Sequence, residues 1–520
     1  MNNDSGSSVS LWMSTAQVDN QSMLKKDEIA DADVCVIGAG ISGLSIAYFL
    51  LAEGKSVVVL EDGPIGGGET SRTTAHLSNA LDDRYFEIER LHGQEGARLA
   101  AGSHTTAIDA IERIVKKEQI SCDFTRLDGY LFVPSGESIE VLDRELAAAD
   151  RAGVGGVVKL DRAPLQDFDT GPCLKFPEQA QLHALKYLRG LADAVLKRGG
   201  RIFTSTHASE FHPGKDAYVK TRTGARVNCR HIVVATNSPV NDRFVLHSKQ
   251  AAYRSYVIGA RVRKGAVPKG LYWDTADPYH YVRLAPAETP KYEILIVGGE
   301  DHKTGQEDDA EKRYKALESW ARERFPSMEE VAYRWSGQVM EPIDAMAFIG
   351  KNPADASNVY VVTGDSGHGM THGTIAGLLI TDLILERENP WAKLYDPSRK
   401  RLGSAWEFAK EGASIAAQFV DYVTPGDVST VDKIEPGSGA VVRSGLSKLA
   451  VFRDSDGKLH ECSAVCSHLG CIVHWNHEER SWDCPCHGSR FDPYGKVING
   501  PALEPLARVS ETVAKDSKTT

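Results

Sequence analysis

The sequence predicts an α/β domain carrying an antiparallel sheet, followed by a small all-β module. Three observations predict it. Between residues 33 and 61 an apolar run, a glycine-rich turn, a helical stretch and a second apolar run follow one another. Between 253 and 299 apolar and polar residues alternate as in half-buried strands. Beyond residue 425, two Cys/His pairs sit among short strands and turn signals such as Pro436-Gly437 and Asp456-Gly457.

The chain is 520 residues long, enough for about two to four domains. Hydrophobic residues make up 42% and charged residues 25%, the balance of a soluble globular protein. A net charge of −11 argues against nucleic acid or anionic membrane as partner. No apolar run is long enough to span a bilayer. The N-terminus shows neither a basic stretch followed by an apolar one nor a twin arginine, so a cytoplasmic location is expected. Of nine cysteines, five lie between 462 and 486. Cys35, Cys122, Cys173 and Cys229 are scattered, unlike a secreted disulfide scaffold.

Residues 1–30 are polar and without periodicity, and read as a flexible arm. Trp12 and Met13 are the exception: they either dock on the body or share the disorder. Residues 33–37 read as a buried parallel strand, 44–53 as a helix ended by Gly54-Lys55, and 56–60 as a second strand reaching Glu61. Gly38, Gly40 and Gly43 fall at the strand-to-helix turn, where the backbone can approach a pyrophosphate at the helix N-terminus. Glu61 is eighteen residues past Gly43, where a carboxylate can accept from a ribose hydroxyl.

The next segment, 66–76, is rich in backbone donors and hydroxyls, with Thr70, Ser71, Arg72 and Thr73 in a row. Residues 232–237 give a strand ending in Ala235-Thr236-Asn237. Residues 359–362 lead into the glycine-rich turn 363–373 and a helix expected over 374–388. Over about residues 31–400 this order resembles the D-amino-acid oxidase/glycine oxidase superfamily. The resemblance implies a Rossmann-like FAD-binding domain and FAD as cofactor. It places Thr70, Ser71, Arg72 and Thr73 along the cofactor and Ala235 and Asn237 close to it. Gly367, His368, Gly369 and Thr371 fall at the turn whose helix N-terminus faces the isoalloxazine, where it can stabilise anionic reduced flavin. It also implies a helix within 176–200, ahead of a third strand at 201–204. His76 reads either as a covalent flavin anchor or as a loop histidine bonded locally. Asp365, His368 and His372 loosely match a 2-His-1-carboxylate iron site, the set that a ring-hydroxylating oxygenase would use.

The substrate sheet is expected mainly within 113–175 and 245–335, with strands at 253–263, 271–273, 279–284 and 292–299. Tyr256, Tyr281 and Arg283 are the candidate pocket residues, and Arg283 suits a substrate carboxylate. Ordinary sheet aromatics and a surface ion pair are the plainer reading. His280 and Arg283 should point to opposite faces. Residues 391–400 close the first domain. Residues 401–424 read as an amphipathic linker helix stopped by Pro425-Gly426. The all-β module spans about 425–520, its end, 508–520, polar and frayed.

That module holds Cys466-Ser-His468 and Cys484-Pro-Cys-His487, with Cys471 and Cys486 to spare. Two thiolates and two imidazoles suit a [2Fe–2S] cluster, and also make a legal zinc set. The spare cysteines could cross-link the two loops. The stretch resembles the Rieske family. The resemblance assigns Cys466, His468, Cys484 and His487 as cluster ligands and Cys471–Cys486 as a disulfide, with the histidines near the surface as the electron exit. High-potential members carry Ser-x-Tyr next; here it reads Ser489-Arg490-Phe491. One hydroxyl donor is lost, so a potential below the top of the family's range is expected.

Together the two resemblances imply an FAD-dependent oxidoreductase acting on the CH–NH bond of an amine or amino acid. Electrons then pass singly through the cluster to an external acceptor. The alternatives are an oxygen-using oxidase with a structural cluster, or a redox-sensing or docking protein with little turnover. No general base is assigned.

Overall fold

The structure, a computed structural model, describes residues 5–241, 246–353, 355–399, 415 and 418–508. Its centre is a six-stranded sheet in the order Phe348–Lys351, Val359–Thr363, His231–Val234, Val34–Ile37, Val57–Leu60, Arg201–Phe203. All neighbours are parallel except the Phe348–Lys351 edge. Val34–Ile37 and Val57–Leu60 are buried throughout, which is why they read as continuous apolar runs. Helices Ile41–Ala52 and Gly369–Ile384 pack against each other on this domain.

A nine-stranded sheet stands beside it, running from Val331–Pro342 through Gln250–Arg263, Tyr292–Lys303, His280–Pro286, Leu271–Asp274, Thr125–Phe132 and Cys173–Gln181 to His76–Leu77, with Val158–Leu160 also paired to Cys173–Gln181. It is antiparallel except where Leu271–Asp274 pairs parallel with Thr125–Phe132. The C-terminal module comprises a three-stranded and a four-stranded antiparallel sheet around Trp475, Trp482 and Phe491. No helix among the described residues is long and apolar enough to cross a membrane.

Three expectations change. Residues 176–181 are strand, paired with Thr125–Phe132, and the helix is confined to Ala184–Lys197. A cross-strand partner about fifty residues away outweighs local propensity there. The helix expected over 374–388 is Gly369–Ile384. Its glycines read as a turn, but Gly373 lies where a Cβ would stand 3.0 Å from Ser42 Oγ and Ile41 Cγ2, so close helix packing selects glycine. The linker helix expected over 401–424 lies largely outside the described residues. Within them, Ile415 and Gln418 are helical as expected, and Phe419–Tyr422 tightens to a 3₁₀ turn, with Phe419, Val420 and Val423 exposed.

The N-terminal segment corrects the reading most. Residues 5–15, expected to be flexible except for a possible docking of Trp12 and Met13, pack between the 66–76 loop and the C-terminal module. Leu11–Thr15 is a helix capped by Ser10, and Trp12 is buried with its Nε1 donating to the Thr73 carbonyl at 2.5 Å. Serines that look like linker composition serve here as buried hydrogen-bond partners of the C-terminal module.

Candidate active site and iron-sulfur centre

A long cavity opens at the C-terminal ends of the parallel strands, where α/β sheets place their ligands. Gly38 has φ +103°, and a Cβ there would stand 2.5 Å from the Ala235 carbonyl oxygen. Only glycine fits. A Cβ on Gly43 would meet the Gly38 carbonyl at 1.9 Å, so Gly43 supports the turn and does not line the cavity. Gly40 lines it openly, beside Thr70 Oγ1, which accepts from the Ile41 N–H. The Glu61 carboxylate accepts from the N–H groups of Ala39 (2.6 Å) and Gly63 (3.1 Å) at the same end. This cradle of bare backbone at a helix N-terminus fits the diphosphate of FAD.

Thr73, Ala235, Asn237, Gly367, His368 and Gly369 line the cavity as expected. Ser71 does not: it is buried, its carbonyl accepting from Ser10 Oγ. Thr371 lies behind the turn, bonded to His104 Nδ1 at 2.9 Å. Arg72 touches the cavity, but its guanidinium faces away, donating to Ser8, the Ser336 carbonyl and Glu479. His76 lines the cavity with Nδ1 on Thr74 Oγ1 at 3.0 Å, and burial pushes its pKa down to about 3. The iron-oxygenase set is not assembled. His372 spends Nδ1 on the Asp365 carbonyl and Nε2 on His104, while His368 Nε2 accepts from the Asp82 N–H.

Of the three candidate pocket residues, only Tyr281 lines the cavity, its hydroxyl 2.8 Å from Ser255 Oγ. Tyr256 points to the sheet's other side, its hydroxyl on His302 Nε2. Arg283 is on the same face as Tyr281, but it donates to the carbonyls of Thr74, Ala75 and Leu182 and is 2% exposed. It is committed to backbone and does not line the cavity. Sequence reasoning missed Asp82, Tyr279, Asp301 and Glu341, which do line it. The adjacent Asp82-Asp83, just past the 66–76 loop, was the one visible signal.

In the C-terminal module the two motif loops face each other. The Cys471–Cys486 disulfide is formed, and its sulfurs lie within 4.8 Å of the Cys484 sulfur. Cys466 and Cys484 are buried and unbridged. Their thiols are hydrogen-bonded to each other, pulling the Cys466 pKa down and pushing that of Cys484 up. The Ser489 hydroxyl adds a bond to Cys466. The His468 and His487 rings are 5.0 Å apart, and His487 Nδ1 is buried with no hydrogen bond, as expected of a nitrogen reserved for iron. Two thiols, two imidazoles and a closed disulfide fit a [2Fe–2S] cluster.

The histidine edge was expected to face solvent. Instead His487 is 6% exposed, and His247 of the larger domain packs 5.0 Å from the His468 ring and 6.0 Å from that of His487. His468 retains partial exposure. Gly488 has φ +74°, and a Cβ there would stand 2.4 Å from the Ala252 Cβ. The seam is therefore tight at the cluster loop. Glu479 anchors it. It is buried, 2.9 Å from Arg72 NH1 and 3.6 Å from Arg254 NH1, and accepts from Ser8 and Ser336. Burial works against its charge. Arg72, Arg254 and Arg490 outweigh that and hold the carboxyl well below its ordinary range. Residues 496–500 and Ala502 of the module close one wall of the cofactor cavity.

A nucleotide cradle with an iron–sulfur loop sealed against it defines a flavoprotein oxidoreductase with a second redox centre. The comparisons agree: the chain belongs to the FAD dependent oxidoreductase family, whose model matches residues 33–383, and a Rieske [2Fe-2S] domain matches 424–510. FAD and a [2Fe–2S] cluster are its cofactors. Over 504 residues it is 32% identical to YhfW of Bacillus subtilis strain 168, covering 96% of this chain and 97% of that one. It is 28% identical over 391 residues to gamma-glutamylputrescine oxidoreductase of Escherichia coli K12, covering 71% and 88%. Glycine oxidase from Geobacillus kaustophilus shares the fold (TM-score 0.59, 18% identity, 71% of this chain and 99% of that one).

Proposed function

We propose that the chain oxidises the CH–NH bond of an amine or amino acid in the flavin cavity and passes the electrons singly through the Rieske cluster to an external acceptor. The observation that carries the relay is Gln338. It lines the cofactor cavity, its backbone N–H donates to Glu69 at 2.7 Å, and its side-chain Nε2 donates to the Gly488 carbonyl at 3.0 Å. One residue thus touches the cavity and the loop that carries Cys484 and His487. The substrate class draws on the gamma-glutamylputrescine oxidoreductase relative and on fold neighbours such as glycine oxidase.

Bound FAD supplies hydride acceptance from carbon and one-electron release, and the cluster carries one electron at a time. The substrate loses a hydride from carbon and a proton from nitrogen and becomes an imine, which water hydrolyses. Gly38, Gly40, Glu61, Thr70 and Thr73 would hold the cofactor. Ala235, Asn237 and the turn Gly367–Gly369 would face it, with Tyr281 and Ser255 over the substrate side. Cys466, His468, Cys484 and His487 would hold the cluster. Both histidines stand at the seam beside His247; the buried His487 would serve entry and the partly exposed His468 exit. We place the protein in the cytoplasm, since Cys35, Cys122, Cys173 and Cys229 are free and buried.

The test is turnover of Cys484→Ser under argon with an artificial one-electron acceptor, and in air with peroxide measured. The relay predicts acceptor-linked turnover lost and flavin bleaching by substrate kept. Full turnover with rapid peroxide release would instead make the cluster structural.

A further inference from the structure

Among the described residues, the substrate end of the cavity is lined by acids with no lysine or arginine partner; His368 Nε2, which accepts from the Asp82 N–H, lies 3.5 Å from the Asp82 carboxylate. Asp82, Asp301 and Glu341 all face the cavity. Asp83 stands behind Glu341: Ser366 Oγ donates to Glu341 at 2.6 Å and contacts Asp83 at 3.1 Å. The Tyr279 hydroxyl donates to Asp82 at 3.2 Å. Asp301 Oδ1 is buried and has no hydrogen-bond partner.

The lining cations do not neutralise this group. Arg72 is spent on Glu479, Ser8 and Ser336, and Lys496 sits with Asp62 at the Glu61 end. The two arginines nearest the acids are outside the cavity. Arg313 bonds the carbonyls of Glu300 and Asp301 and the Asp309 carboxylate; Arg84 bonds the carbonyls of Leu81 and Asp274. Arg283, the one candidate for a substrate carboxylate, is committed to backbone. Burial, and then the neighbouring carboxylate Asp82, push Asp83 up to about 7; Asp301 also rises to about 7, burial leading and Asp82 adding to it. Such groups await positive charge.

Resting on the amine-oxidation reading, we infer that the substrate is a di- or polyamine without a carboxylate at the reacting end, its remote ammonium held among Asp82, Asp301 and Glu341. More carboxylates converge here than one ammonium needs, and an α-amino acid would bring its own carboxylate against them with no free arginine among the described lining residues to receive it. The reacting nitrogen is then free to be neutral while the second charge fixes the chain.

Calorimetry on the holoenzyme with hexamethonium, a dication that cannot be oxidised at nitrogen, tests the site without turnover. Binding is expected, with benzoate and glycine silent, and weakened at least about tenfold by Asp301→Asn or Glu341→Gln. If the variants misfold, the wild-type protein still decides, because binding of the dication must weaken steeply as salt rises. Benzoate binding as tight as hexamethonium, or no dication binding, overturns the inference. Under argon, putrescine and spermidine should bleach the flavin and sarcosine should not. Amino acids bleaching it without dication binding would sink this inference and leave amine oxidation standing. Dication binding with no bleaching by any amine would do the reverse.

Discussion

The cluster site and the flavin cavity are built in opposite ways. All four proposed cluster ligands and both disulfide cysteines come from 22 residues, 466–487, on two loops. The cavity draws on the nucleotide turn, the 66–76 loop, strands of both large sheets, the 363–373 turn and the C-terminal module itself. Spacing along the chain specifies a metal site because the ligands must reach one point from adjacent loops. A substrate cavity is specified by topology, which brings Asp82, Asp301 and Glu341 together across 259 positions of sequence.

The sharpest separation of the two regions comes from paired variants. Cys484→Ser should reduce iron from about two atoms per chain to near none while FAD stays bound. Gly43→Ala, forcing a Cβ to within 1.9 Å of the Gly38 carbonyl, should empty the flavin site and leave the iron. Metal analysis and the flavin spectrum on the same samples read both. Loss of both cofactors in either variant would mean that the regions do not fold independently.

The seam between them is next. Glu479→Gln leaves Arg72 buried without its counter-charge and Arg254 with Asp483 alone, and should cost about 3 kcal/mol of stability, read by denaturant unfolding. Because the folded pKa of Glu479 is depressed, its contribution is present above the unfolded carboxylate pKa and is lost as pH falls toward the folded value. The wild-type protein should therefore lose stability on acidification below about pH 5, and the variant less steeply.

A smaller effect belongs to the bridge. Gln338→Leu should leave flavin reduction by substrate unchanged and slow cluster reduction roughly tenfold, measured by stopped flow. The smallest is at the rim. Asp308→Ala removes an ion pair with His477 whose side chain is 61% exposed, and should change stability by less than about 0.5 kcal/mol. A rim effect as large as that of Glu479 would contradict the division into buried clasp and solvated edge.

The same contrast explains what the sequence revealed. The Gly38–Glu61 unit and the Cys466–His487 loops are local, so the spacing of their residues limits the arrangements open to them. Ser8 and Glu479 are 471 positions apart, so nothing near either one marks the hydrogen bond they share. Arg283 was legible as a cation on a strand of the substrate sheet, read as a partner for a substrate carboxylate or as a surface ion pair, but its destination was not. Whether a guanidinium meets substrate or three carbonyls depends on the path of the 74–75 loop. Phe491 is buried beside the cluster loops, the place that the neighbouring motif gave it.

The most direct test of electron exchange between the two centres is rapid-freeze EPR after anaerobic addition of a reducing amine. The reduced-cluster signal should rise as flavin absorbance falls, with Gln338→Leu delaying the signal and not the bleaching. A fully bleached flavin beside a cluster that stays oxidised over the same interval would contradict it.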